Sequence, residues 1–294
     1  LSIGGVDLYS EIYKPVLLDI IRIQGPDCYR CPYGLNCKNC EAQCIESAKE
    51  SFKKWGDKTA ALVIEPLVQA AAGMKIYSPK YLSELRKLCD EYNVHLIADE
   101  IATGYGRTGK MFACDHAGIS PDIMCLSKGL TGGYMPMALA VTTKKIFDAF
   151  YAPYNEGKAF MHSHTYSGNP LACAAACEVL KILNDENIIE NAQKNAIYFN
   201  NLIKEKFSTH KNVGDIRSIG LINAIELVED KTTKKPFDSK LRIGYQIYKE
   251  ALKKGVILRP LGDVIYFNPP LIIQKDDMDY VVNVAYECMK KILN

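Results

Sequence analysis

The stretch HLIADE, residues 95–100, decides the fold: it is a short apolar run that ends in two carboxylates, Asp99 and Glu100. A run this short, bounded by polar residues, reads as a buried strand rather than a helix. Upstream, ALVIEP (61–66) is a second such run, stopped by proline and carrying Glu65 at its C-terminal end. Between them Ser78 and Pro79 open a helix as N-cap and first helical residue, and Tyr81, Leu82, Leu85, Leu88 and Cys89 fall on one of its faces. Strand, helix, strand is the unit of a parallel sheet. Downstream, DIMCLS (122–127) is a third strand, delivering Lys128 to the glycine-rich turn GLTGG (129–133), and MALAVTT (137–143) is a fourth.

Ligands of open parallel sheets gather beyond the carboxyl ends of the strands. By that rule Glu65, Asp99 and Lys128 point into one crevice, and Lys128, at the end of an apolar run, is expected to be a buried amine with a chemical task. Asn169 and Pro170 start a long alanine-rich helix, and a second helix is predicted from about Glu186 to Phe207. Beyond Val213 the texture changes. IRSIGLINAIELV (216–228), GVILRP (255–260) and VIYFNP (264–269) read as strands, mixed with helices near 239–254 and 276–292. The expectation is an α/β chain, with a mostly parallel large domain over 1–208 and a smaller α+β domain over 209–294.

Bulk properties fit a globular protein: 294 residues, 48% apolar and 24% charged. Lys and Arg number 36 against 34 Asp and Glu, interspersed, so no net field favours nucleic acid or an anionic membrane, and a small-molecule ligand is expected. The opening LSIGGVDLYS lacks the pattern of a secretory signal, and no stretch reaches membrane-spanning length. Eleven cysteines, an odd count over a long chain, suit a reducing cytoplasm better than a disulfide framework. Cys28, Cys31, Cys37, Cys40 and Cys44 crowd together, and two C-x-x-C pairs suggest a zinc knuckle. Only Pro32 to Asn36 separate the pairs, which is short for two knuckles over one ion, so a reduced cysteine-rich loop is the expectation and no metal is assigned.

Two chemistries compete for the central residues. GYGRTGK (104–110) has the spacing of a phosphate-cradling loop, and LIADE resembles a magnesium-binding acidic strand. Met111, however, stands where a magnesium-ligating hydroxyl belongs, and only Ile101, Ala102 and Thr103 separate the acidic strand from the loop. The other chemistry makes Lys128 a Schiff-base lysine for pyridoxal phosphate, whose ring nitrogen wants a carboxylate, here Asp99. Thr165, near the start of the helix at Asn169, could meet part of the phosphate.

LIADEIATGYGRTGKMFACDHAGISPDIMCLSKGLTGGYMPMALAVTT (96–143), followed by MHSHTYSGNPLACAAA (161–176), resembles the class III aminotransferases. The resemblance runs on to GVILRPLGDVIYFNPP (255–270), essentially the whole chain. It implies a fold type I enzyme using pyridoxal 5'-phosphate, with Lys128 bonded to the cofactor and Asp99 paired to its ring nitrogen. It implies that Thr165 reaches the cofactor phosphate of a neighbouring subunit, hence a homodimer. Arg259 matches the arginine that holds the keto substrate's carboxylate, Arg107 one that lines the substrate site, and Glu65 and Gln69 a stretch near the cofactor. Structural hydrogen bonding is the reading for His162 and His164.

Within the family the chain is most similar to the branch that aminates 8-amino-7-oxononanoate to 7,8-diaminononanoate in biotin biosynthesis. The donor is left between S-adenosylmethionine and lysine, since Ser163 and His164 stand where users of S-adenosylmethionine carry Gly-Pro. The family's N-terminal phosphate loop and its ring-stacking aromatic residue have no counterpart here, which suggests an N-terminally truncated chain. The alternatives are an ω-aminotransferase of ornithine or 4-aminobutyrate type, an inactive fragment, or a thiol-zinc module.

Overall fold

A computed structural model of the chain describes residues 2–35 and 40–294. Helix α1 (Asp7–Ser10), a 3-10 segment and an extended stretch lead to α2 (Ile45–Trp55). Strand β1 (Ala61–Ile64) is followed by a small hairpin, β2 (Val68–Gln69) and β3 (Lys75–Ile76), then by α3 (Pro79–Glu91) and β4 (His95–Asp99). Next come α4 (Cys114–Ala117), β5 (Ile123–Leu126) and β6 (Leu139–Thr142), and then α5 (Lys144–Phe150), α6 (Pro170–Asp185) and α7 (Ile188–Phe207). The last part holds β7 (Val213–Ile219), β8 (Ile222–Leu227), α8 (Ile243–Leu252), β9 (Pro260–Leu261), β10 (Val264–Phe267) and α9 (Lys275–Leu293).

The first sheet has the order β1-β4-β5-β6. β1, β4 and β5 run parallel and β6 antiparallel. The crossover helix α3 forms as its sequence dictates: Ser78 Oγ accepts the Lys80 amide at 3.3 Å, Pro79 occupies the first turn, and Tyr81, Leu82, Leu85, Leu88 and Cys89 are buried. They pack with Leu96 and Ala98 of β4 in one core.

The second sheet, β7-β8-β10-β9, is antiparallel. On one face Ile225, Leu227 and Ile265 pack against Phe199 and Phe207 of α7, Ile247 of α8 and Val282 of α9. On the other, Ile222, Ala224 and Val264 join the core built around α3 and β4, so the two sheets share packing.

GVILRP does not form the expected strand; only Pro260 and Leu261 pair, with Ile265 and Val264. Proline has no amide to give a ladder, which confines it to a short edge. One side of the chain is thinly covered. Every residue of β6 is exposed, α5 has no buried residue, and Leu171, Leu180 and Ile182 of α6 are exposed. Among the described residues no helix is long and apolar enough to cross a membrane.

Candidate active site

Register places the candidate groups. Ile64 pairs with Ala98, so Glu65, the next residue, stands level with Asp99. Asp99 pairs in turn with Cys125, and Lys128 follows just past the end of β5. With parallel strands about 4.8 Å apart, the carboxyls of Glu65 and Asp99 and the Lys128 amine belong to one sheet edge. Electrostatics agrees: burial raises the Glu65 pKa, and of its charged neighbours Asp99 raises it further while Lys128 opposes. Glu65 Oε2 accepts the Ala70 amide at 2.8 Å, and Asp99 Oδ1 accepts that of Ile101 at 3.0 Å.

Lys128 departs from expectation in one respect. Its side chain is exposed, not buried. The Lys128 backbone is held in the left-handed region, φ +45°, an uncommon conformation for a residue with a side chain. Ser127 Oγ donates to Met137 O at 2.7 Å and Thr131 Oγ1 to Met135 O at 2.6 Å, closing the turn around it.

Two residues given no role by sequence reasoning organise this edge. Glu100 is fully buried; its carboxylate accepts the Ala113 amide at 3.0 Å, the Cys114 amide at 2.8 Å and the Thr103 hydroxyl. It thereby ties both ends of the 101–113 loop to the end of β4. Tyr105, carried by that loop, packs against Gly129, the residue after Lys128. A paired Asp-Glu at a strand end and an aromatic residue between glycines are the only sequence signals of either.

The remaining candidates are exposed or bonded to backbone carbonyls. Arg107 donates to the Pro269 carbonyl, burial lowers its pKa, and no carboxylate pairs with it among the described residues. Arg259 is exposed just before β9. Gln69 donates to Pro26 O at 2.6 Å, fastening the chain ahead of the cysteine-rich loop. Thr165 is exposed in the turn before α6, whose N-cap Asn169 accepts the amides of Leu171 at 2.9 Å and Ala172 at 3.2 Å. That helix meets the Lys128 turn through Val179, which faces Gly132, about 14 Å along the axis from its N-terminus. His164 makes the structural bonds expected of it: its Nδ1 accepts the Tyr166 amide and its own amide donates to Ser167 Oγ, both at 3.2 Å. The ring of His162 stacks on Phe160.

Cys28 is disulfide-bonded, whereas Cys31, Cys40 and Cys44 are free, so the expectation of a loop of free thiols does not hold at Cys28. Cys28, Cys31, Cys40 and Cys44 line one small cavity beside Tyr77 and Tyr81, while Cys37 lies outside the described residues. No metal-holding group of three stands among the described residues.

The chain matches the class-III aminotransferase family over residues 1–290. It belongs to that family. It is 42% identical over 286 residues to adenosylmethionine-8-amino-7-oxononanoate aminotransferase of Geobacter sulfurreducens, covering 96% of this chain and 62% of the relative. A crystal structure of the enzyme of that name from Methanocaldococcus jannaschii superposes with a TM-score of 0.88 at 36% identity, covering 99% of this chain and 64% of that one. An amine transaminase from an uncultivated Pseudomonas species, in its pyridoxal-phosphate-bound form, gives 0.92 at 34% identity, covering 99% and 66%. The chain thus spans less than two thirds of the length of the curated relatives it matches. Class-III aminotransferases use pyridoxal phosphate, and the donor set at this edge fits that group: an accessible amine, with a carboxylate on the adjacent strand end.

Proposed function

We propose that this chain is the body of a pyridoxal-phosphate-dependent aminotransferase that converts 8-amino-7-oxononanoate to 7,8-diaminononanoate in the cytoplasm. The observation that carries the reading is the convergence of Lys128 with Asp99 and Glu65 on one sheet edge. The choice of substrate is supported by the chain's similarity to adenosylmethionine-8-amino-7-oxononanoate aminotransferases. The chain is read as a cofactor-binding part, 1–208, and a smaller α+β part, 209–294.

Bound pyridoxal phosphate supplies an aldehyde that captures amines and a ring that accepts electrons. Lys128 would hold the aldehyde carbon through Nζ and, once released, carry a proton to and from the substrate carbon. The Asp99 carboxylate would keep a proton on the ring nitrogen. Glu65 adds negative charge to the same edge, while its burial and the Asp99 charge favour its protonated form, which limits that charge. Arg259, exposed and placed before β9, would bind the far carboxylate of the keto substrate, and Arg107 would line the substrate site. Thr165 would reach the cofactor phosphate of a second copy, which makes the working form a homodimer. The exposed apolar side formed by β6, α5 and α6 supports that assembly.

Amino transfer to 8-amino-7-oxononanoate, assayed with S-adenosylmethionine and with lysine as donors, tests the proposal and assigns the donor. The chain and its Lys128→Ala form should differ by loss of turnover. Preference for a short keto acid, with ornithine or 4-aminobutyrate as donor, would move the chain to another branch of the family.

A further inference from the structure

Lys128 and Tyr105 both occupy the left-handed region, with φ of +45° and +60°. Each costs on the order of 1 kcal/mol relative to ordinary backbone, so surrounding contacts must hold them there. For Tyr105 those contacts are explicit. It is 4% exposed, and its ring meets Phe112 edge-on at 6.0 Å. The loop that carries it is fastened by the Glu100 carboxylate. On its other side is Gly129: a Cβ there would stand 3.0 Å from Tyr105 Cβ, 3.1 Å from Cδ2 and 3.3 Å from Cγ. The backbone immediately after Lys128 therefore lies flush on the tyrosine.

We propose that Tyr105 is a positioning residue for Lys128: its Cβ and the edge of its ring are the stop against which Gly129 rests, and this fixes the left-handed turn that aims the lysine amine at the Asp99 edge. The proposal rests on the reading of Lys128 as the cofactor-binding lysine, and extends it to a residue that acts through the backbone next to that lysine. The lysine itself is exposed and gains no direction from packing of its own side chain. Its aim comes from the backbone, held at one end by the Ser127 hydroxyl on Met137 O and at the other by the Gly129–Tyr105 contact. The tyrosine hydroxyl plays no part, so phenylalanine should serve as well.

The experiment uses the full chain with pyridoxal phosphate and follows two readouts: the rate at which borohydride fixes the cofactor on Lys128, read by peptide mapping, and the pH at which the absorbance of the lysine-bound cofactor changes. Tyr105→Phe should match the unaltered chain in both. Tyr105→Leu, which keeps the site apolar but removes the flat stop, should slow capture roughly ten- to a hundredfold and move the pH midpoint by about one unit. Gly129→Ala, which forces the two apart, should do the same with Tyr105 intact. Circular dichroism confirms the fold of each variant. Capture and midpoint unchanged in both Tyr105→Leu and Gly129→Ala would overturn the positioning role alone. Absence of label on Lys128 in the unaltered chain would overturn the lysine's own assignment, and this inference with it.

Discussion

Glu65 stands level with Asp99 on the neighbouring parallel strand, and its proton affinity is raised by burial and by the charge of that aspartate. A carboxyl with a raised folded pKa stabilises the fold fully while both states are protonated, and that contribution is lost as pH climbs from the ordinary value of 4.5 through the higher folded value. Glu65→Gln keeps an oxygen for the Ala70 amide and removes the charge. Thermal unfolding should show the variant more stable than the parent at pH 7, by up to about 1 kcal/mol, and no more stable below pH of about 4. A variant equally stable or less stable at pH 7 would contradict the electrostatic reading of this edge.

Gly220 joins the β7–β8 hairpin to the loop that carries Arg107. Its φ is +54°, and a Cβ there would stand 2.7 Å from Gly109 N and closer still to Arg107 O and Thr108 C. All three neighbours are backbone, so nothing gives easily. Gly220→Ala should cost about 2–4 kcal/mol, read as a lowered unfolding midpoint in denaturant with the slope unchanged. Loss of less than about 0.5 kcal/mol would mean that the two sheets are not locked together here.

Glu100 gives a third test. Its carboxylate is fully buried and accepts two amides and a hydroxyl, so in Glu100→Gln one of those donors faces an NH2 group instead of an oxygen. The expected loss is about 1–3 kcal/mol of stability. Because the loop it fastens carries Tyr105, protease nicking should become faster between residues 101 and 113. Unchanged stability and an unchanged cleavage pattern would remove Glu100 from the account.

Much of the frame was legible in the sequence because it is set by local rules. Ser78-Pro79 and the spacing of five apolar residues fix α3, and short apolar runs leading to Glu65, Asp99 and Lys128 mark one edge of the sheet. What escaped depends on contacts between distant parts of the chain. Lys128 is exposed, and no periodicity in the sequence reports that. Tyr105 on Gly129 and Gly220 on Arg107 join residues far apart in sequence, with left-handed backbones at Tyr105, Lys128 and Gly220. GVILRP looked like a strand because it is apolar and β-branched, yet Pro260 reduces it to a two-residue edge.

The central claim is that Lys128 binds the cofactor, and one measurement addresses it directly. The chain is incubated with pyridoxal phosphate and reduced with borohydride, and its peptides are mapped by mass spectrometry. One dominant pyridoxyl label is expected, on Lys128, weakened when Asp99 is replaced by asparagine. A dominant label on any other lysine, or labelling spread over exposed lysines without preference for Lys128, would contradict it.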